Sequence, residues 1–92
     1  MKNSFTIKLV EGNFQPNEAG KVLFSLINSK INYHNLEIFS GQERSDGNVE
    51  HSQRRVDYLK TTSDDLSDYI KEAIQNQYNF EIVGNIEIIL KK

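Results

Sequence analysis

The chain has 92 residues, a length that predicts a single domain spanning residues 1–92. A chain of this size buries only about 60–65% of its unfolded surface, so its core alone provides marginal stability. It contains no cysteine, which excludes disulfides and thiolate metal sites and leaves self-association as the common source of further stability. The net charge of −2 argues against a nucleic-acid binder held by phosphate contacts.

The start of the chain and its hydropathy argue against export and membrane insertion. Met1–Ser4 lead directly into an amphipathic pattern without an apolar run, so we expect no signal peptide. No apolar stretch approaches the roughly 20 residues of a membrane span. Because a chain without cysteine also suits a reducing compartment, we expect a cytoplasmic protein with no membrane partner.

Two segments alternate apolar and polar residues, a pattern that predicts strands with one buried and one solvated face. In the last segment only Gly84 interrupts the apolar positions, which are Phe80, Ile82, Ile86, Ile88 and Leu90. The first segment has the same pattern at Phe5, Ile7 and Leu9. Gly12-Asn13 predicts the end of this first strand.

The first segment with helical spacing begins at Pro16, because proline suits the first helical position. Gln15 is then the capping residue. Its apolar positions recur at three- and four-residue steps: Ala19, Val22, Leu23, Leu26, Ile27, Ile31, His34 and Ile38. Phe24, Tyr33 and Phe39 lie off this stripe, so we expect the helix to have two neighbours. Residues 31–39 leave a short strand open as a second interpretation, because the preceding Asn-Ser-Lys favours helix only weakly.

A second helix is predicted from about Val49 to Gln77, after turn signals at Ser40-Gly41 and at residues 45–48. Its apolar positions are Val56, Leu59, Leu66, Tyr69, Ile70, Ala73 and Ile74. Residues 61–65 leave two interpretations open. The helix either restarts at a capping box formed by Thr62 and Asp65 or continues through an exposed polar turn.

The order strand, helix, helix, strand predicts an α+β fold in which a helical hairpin covers an antiparallel two-stranded sheet. A lone two-stranded sheet is marginal in water, so we expect two copies to pair edge to edge and complete the sheet. The predicted assembly is a homodimer or a larger homo-oligomer.

The middle half of the chain resembles a group of small hypothetical proteins from Bacteroides-type bacteria. The similarity lies in residues 26–36, Phe39-Ser40, residues 42–44, His51-Ser52, Arg55 and Leu59. The group has no established activity, so the resemblance implies a stand-alone bacterial protein and no particular site.

Three groups of polar residues are candidates for chemistry. His34 lies on the apolar stripe of the first helix, where we expect a structural, partly buried imidazole. Four residues near the tip of the hairpin, three arginines and one histidine, form a candidate anion site: Arg44, His51, Arg54 and Arg55. The acidic run at 64–68 is explained by the dipole at a helix start, and we predict no metal site.

His51-Ser52 lacks the strained turn and oxyanion hole of a nucleophile, so we predict no catalytic residue. The favoured function is a non-enzymatic binding or interaction protein that acts as a homo-oligomer with a protein partner. The alternative is a protein that binds or sequesters a small anion or nucleotide between protomers near the hairpin tip. We expect no cofactor, and a nucleic-acid partner is disfavoured by the charge.

Overall fold

The computed structural model describes the backbone of residues 2–44 and 49–92 and the side chains of residues 2–40 and 49–92. The elements, in chain order, are β1 (Ser4–Phe14), α1 (Pro16–Arg44), α2 (Val49–Gln75) and β2 (Phe80–Ile89). The strands pair antiparallel in one two-stranded sheet, which we call the ribbon. The α+β class, the element order and the antiparallel pair are therefore confirmed.

Both helices are continuous. The backbone N–H of Ala19 donates to the carbonyl of Gln15 at 2.9 Å, so Gln15 is the cap and Pro16 the first helical residue, as predicted. α1 passes through residues 31–39 without interruption, which excludes the strand interpretation. α2 likewise passes through residues 61–65, so the helix does not restart there. The turn at residues 45–48 lies outside the described residues.

The core lies in the seam between the two antiparallel helices. Its buried apolar residues are Ala19, Val56, Leu59, Ile70 and Ala73. Among the described residues, His34 of α1 and Ser52 of α2 are polar residues buried with them. The helical hairpin therefore contains the closed part of the hydrophobic core, and much of the ribbon lies outside it.

A β-bulge sets which residues share a face of the ribbon. Ile7 pairs with Ile86, but the register shifts between Lys8 and Val10, so Leu9 is an extra residue without an opposite partner. A bulge reverses the alternation of the strand, and odd positions before it share a face with even positions after it. The apolar residues of β1 therefore remain on one face along the whole strand.

β1 does not end at Gly12-Asn13, contrary to the expectation from sequence. Gly12 has a φ of 139°, a conformation that glycine tolerates and other residues rarely adopt. The strand continues beyond it, with Gly12 opposite Ile82 and Phe14 opposite Phe80. The base of the ribbon consequently lies where the chain enters α1 and returns from α2.

The ribbon projects from the helical hairpin, whereas the sequence predicts a sheet covered by that hairpin. Among the described residues the helix and ribbon backbones approach each other at few points, all of them between α1 and the strands. A single residue, Gln15, connects β1 to α1. Connections that fold a helix back onto its own sheet usually have two to six residues, so this junction directs the ribbon away from the helices.

The overall dimensions agree with this arrangement. The molecule measures 50 × 37 × 14 Å. A helix of the length of α1 extends about 43 Å and a ten-residue strand about 33 Å, so the ribbon does not extend the helices end to end within a length of 50 Å. The molecule is thus flat, and most of the ribbon has no second layer over it.

Candidate functional site

The distal half of the ribbon presents an apolar face to solvent. This apolar ribbon face consists of Phe5, Ile7, Ile86 and Ile88, whose exposed fractions are 62%, 36%, 43% and 49%. The register places Phe5 opposite Ile88 and Ile7 opposite Ile86, so the four side chains form two adjacent cross-strand pairs. The sequence predicts that this face is buried, which is wrong for the single chain because the helices do not reach it.

The opposite face of the ribbon is mostly polar. It carries the pairs Thr6–Glu87, Lys8–Asn85 and Asn13–Glu81. Val83 and Ile89 are its exposed apolar residues. The two faces therefore differ in chemistry, as in a sheet built to pack on one side.

A hollow of about 250 Å³ lies at the distal end of the ribbon. It is lined by Phe5, Ile88 and Leu90 together with Lys2 and Ser4. The lining is largely aliphatic and aromatic, and its one charged side chain is a lysine. Such a hollow suits a large apolar side chain better than a polar ligand.

α1 has a second exposed apolar surface. Leu26, Tyr33 and Leu36, which we call the outer stripe, are exposed to 40%, 52% and 68%. They lie on a different side of the helix from its buried and half-buried residues Ile27, Ile31, His34 and Ile38. The ammonium of Lys30 lies 4.5 Å from the ring centroid of Tyr33 and borders the stripe. The predicted two-sided helix therefore packs mainly on α2 and meets the strands at few points, and its outer stripe is open.

A polar cluster connects the two helices within the seam. Nδ1 of His34 lies 2.8 Å from a carboxylate oxygen of Glu37, and the hydroxyl of Ser52 donates to the same oxygen at 3.3 Å. A carboxylate beside Nδ1 favours the tautomer with the proton on that nitrogen. The buried Nε2 of His34 has no hydrogen-bond partner among the described residues.

The order of these contacts is not that of a nucleophile with its base. In a triad the imidazole hydrogen-bonds the serine, whereas here both His34 and Ser52 contact Glu37. The cluster thus links α1 to α2, as expected for a structural His34. Sequence patterns did not identify the cluster, because Ser52 and Glu37 are fifteen residues apart.

The predicted anion-site residues lie on the first turns of α2, apart from Arg44, whose side chain lies outside the described residues. The guanidinium of Arg54 pairs with Glu50 at 3.0 Å, and that of Arg55 lies 5.1 Å from the ring centroid of Tyr58. His51 is exposed on the same part of the helix. The described contacts do not bring these side chains together around a common point, and the anion site stays a prediction.

A cleft of about 300 Å³ lies where α2 meets β2. The ring of Tyr69 stacks on that of Phe80 with centroids 5.6 Å apart, and Tyr78 also lines the cleft. Its one ionisable carboxylate belongs to Glu72. The cleft thus stabilises the junction through aromatic stacking and lacks the convergent polar groups of a typical ligand site.

The described part of the chain lacks two further kinds of feature. No helix there is both long and apolar enough to cross a membrane. No group of three or more histidine, aspartate and glutamate side chains there is placed to hold a metal ion.

The bulge and the outer stripe are the functional features that sequence reasoning missed or left incomplete. The sequence signal for the bulge is a change in the alternation of apolar residues, which occupy odd positions at Ile7 and Leu9 and an even position at Val10. The signal for the outer stripe is the seven- and three-residue spacing of Leu26, Tyr33 and Leu36. Neither pattern indicates that these surfaces stay uncovered, because that depends on the direction of the ribbon.

Comparisons with protein-family models, curated proteins and solved structures found no match to this chain.

Proposed function

We propose that this chain is a non-enzymatic, cytoplasmic interaction protein that works as a homo-oligomer. The observation that carries the proposal is the apolar ribbon face, four large side chains exposed on one side of a two-faced sheet. An exposed apolar strand pair is an aggregation hazard unless a specific partner covers it. In the assembled state, the surfaces that remain open are available to a protein partner.

The total surface of the chain supports this proposal. The accessible surface is 7568 Å² for a mass of 10.6 kDa. A compact monomer of that mass exposes about 5,500 Å², so roughly 2,000 Å² is in excess. The radius of gyration, 16.7 Å, likewise exceeds the ~12 Å of a compact chain of this length. Obligate homodimers bury about 2,000–5,000 Å² in total, or about 1,000–2,500 Å² per chain, a range that includes this excess.

The charge of the chain is compatible with self-association. A net charge of −2 produces little repulsion between copies. The apolar ribbon face contains no ionisable side chain, so covering it leaves no charge unpaired.

Sedimentation equilibrium at micromolar concentration tests the proposal. We expect a dimer or larger species for the unmodified chain and a shift toward monomer for Ile86→Glu, which places a charge in the apolar ribbon face. Asn85→Glu is the matched control, because it adds the same charge to the polar face and should leave the assembly intact. A species of 10.6 kDa for the unmodified chain at tens of micromolar would refute the proposal.

A further inference from the structure

We propose that the apolar ribbon face of each chain packs on the outer stripe of α1 in a second copy, and that the two copies do so reciprocally. This inference rests on the proposed function, since it specifies how the homo-oligomer is built. It replaces the edge-to-edge pairing of strands expected from sequence with a contact between a sheet face and a helix.

The first argument comes from the two open apolar surfaces. A dimer made by stacking two ribbons covers both ribbon faces but leaves Leu26, Tyr33 and Leu36 of each chain exposed. Reciprocal packing covers both surfaces in one two-fold arrangement, in which each chain provides a sheet face and receives another. It also gives every ribbon a helical layer, and stable domains are built from at least two such layers.

The second argument comes from area. A ribbon about 33 Å long and two strands wide has a footprint of roughly 300–400 Å² on one face. That is well short of the roughly 2,000 Å² of excess surface per chain. Reciprocal packing covers about twice the area of a ribbon-on-ribbon contact, because each chain then buries its outer stripe as well as its ribbon face.

The third argument comes from shape. The ribbon makes few contacts with its own helices and its distal face is exposed, so a two-fold arrangement can place each ribbon over the partner's helices. The hollow at the ribbon's distal end, lined by Phe5, Ile88 and Leu90, accepts one large side chain. The outer stripe offers Tyr33 and Leu36, both more than half exposed.

Cysteine cross-linking tests this arrangement, because the natural chain has no cysteine and each introduced thiol is unique. The variants Ile86→Cys and Tyr33→Cys are mixed, unfolded in urea, refolded together and treated with a short bis-maleimide. We expect the cross-linked dimer of about twice 10.6 kDa to form several-fold more in the mixture than with either variant alone. Asn85→Cys replaces Ile86→Cys in the control mixture and should give little product.

Leu36→Glu provides a second measurement that does not depend on cross-linking. Leu36 is exposed in the single chain, so the helix should fold normally, as circular dichroism will show. We expect at least about tenfold weaker self-association, the effect of losing one central interface contact. Asn35→Glu, on the neighbouring position, is the control and should change the dissociation constant little.

The outcomes separate this inference from the proposed function. If Ile86→Cys alone cross-links as strongly as the mixture, the ribbons stack on each other and this inference is wrong, while self-association stands. If sedimentation shows a dimer that Leu36→Glu does not weaken, the outer stripe is not part of the interface and this inference also fails. If the unmodified chain is monomeric, both are wrong.

Discussion

The two glycines of the ribbon place different demands on its backbone. Gly12 has a φ of 139°, whereas Gly84 has no positive φ, although the register places both on the same face. A Cβ at Gly84 would lie 3.6 Å from the Cβ of Val10, an ordinary van der Waals distance. The requirement for glycine is therefore conformational at position 12, and neither conformation nor space requires it at position 84.

Gly12→Ala should lower the free energy of unfolding by about 1–3 kcal/mol, because a side chain is strained at this φ. Gly84→Ala should leave it unchanged or raise it by up to about 1 kcal/mol, since alanine is the better strand residue. Urea melts at one fixed protein concentration compare the two variants. Because both methyl groups lie on the same face, equal losses would mean that contacts with a partner, rather than the backbone, determine the effect.

His34 contributes to the seam through one hydrogen bond while a second nitrogen is buried without a partner among the described residues. His34→Leu removes both features. Loss of the bond to Glu37 costs about 1 kcal/mol, and removal of the unsatisfied Nε2 returns about 1–3 kcal/mol. We expect the stability to change by no more than about 2 kcal/mol in either direction in thermal or urea unfolding.

His34→Ala is the informative comparison for this position. It removes the same two polar features but also leaves a cavity between the helices, so it should be clearly less stable than His34→Leu. If the leucine variant loses as much stability as the alanine variant, the hydrogen bonds of the polar cluster with Glu37 and Ser52 determine how the helices pack. His34 then contributes more to stability than expected above.

At the scale of elements, α2 ends in a capping motif that has glutamine where glycine is usual. The N–H of Gln77 donates to the carbonyl of Ile74, and the N–H of Tyr78 donates to that of Ala73. These two bonds form a Schellman motif, in which the residue at the position of Gln77 adopts a left-handed conformation. Gln77 has a φ of 60°, although glycine is the usual residue there.

Gln77→Gly should therefore raise the free energy of unfolding, by about 0.5–1 kcal/mol, because glycine adopts this φ without a steric penalty. Lys71→Gly is the control within the helix and should lower it by about 1 kcal/mol. Thermal unfolding followed by circular dichroism at 222 nm measures both. A loss of stability for Gln77→Gly would show that the glutamine side chain stabilises the junction through contacts of its own.

The elements themselves were predictable because their signals are local. Pro16 after a capping position predicts the start of α1, and the alternation from Phe80 to Leu90 predicts β2. The continuation of β1 past Gly12 was not predictable, since glycine is typical both of strand ends and of strained strand positions. The direction of the ribbon was not predictable either, because the polar–apolar pattern is the same whether the covering layer belongs to the chain or to a second copy.

For the candidate surfaces, too, the sequence predicts what depends on spacing within one element and not what depends on how elements are arranged. The apolar ribbon face was identified from its spacing, but its exposure depends on the one-residue connection at Gln15. The polar cluster of His34, Glu37 and Ser52 depends on how two helices align, which no spacing within one helix specifies.

At the scale of the whole molecule, stability and assembly should be inseparable. If the chain assembles as proposed, its roughly 2,000 Å² of excess surface is covered only when a second copy binds. Its melting temperature should therefore rise with protein concentration, as for any folded state that is stabilised by association. A chain with all its burial internal would melt at a temperature independent of concentration.

Ile86→Ala makes this link testable at a single residue. Ile86 is 43% exposed in the single chain, so truncation there leaves no closed cavity and should cost little at concentrations where the chain is monomeric. Where a second copy covers the residue, the same truncation creates an interface cavity and should cost about 2–5 kcal/mol. Glu87→Ala, on the polar face, should cost about 0.5 kcal/mol or less at every concentration. Over a hundredfold range of protein concentration, the difference in stability between the two variants should therefore grow, because only Ile86 contributes to the surface that association covers. A difference that stays constant would mean that Ile86 packs within its own chain.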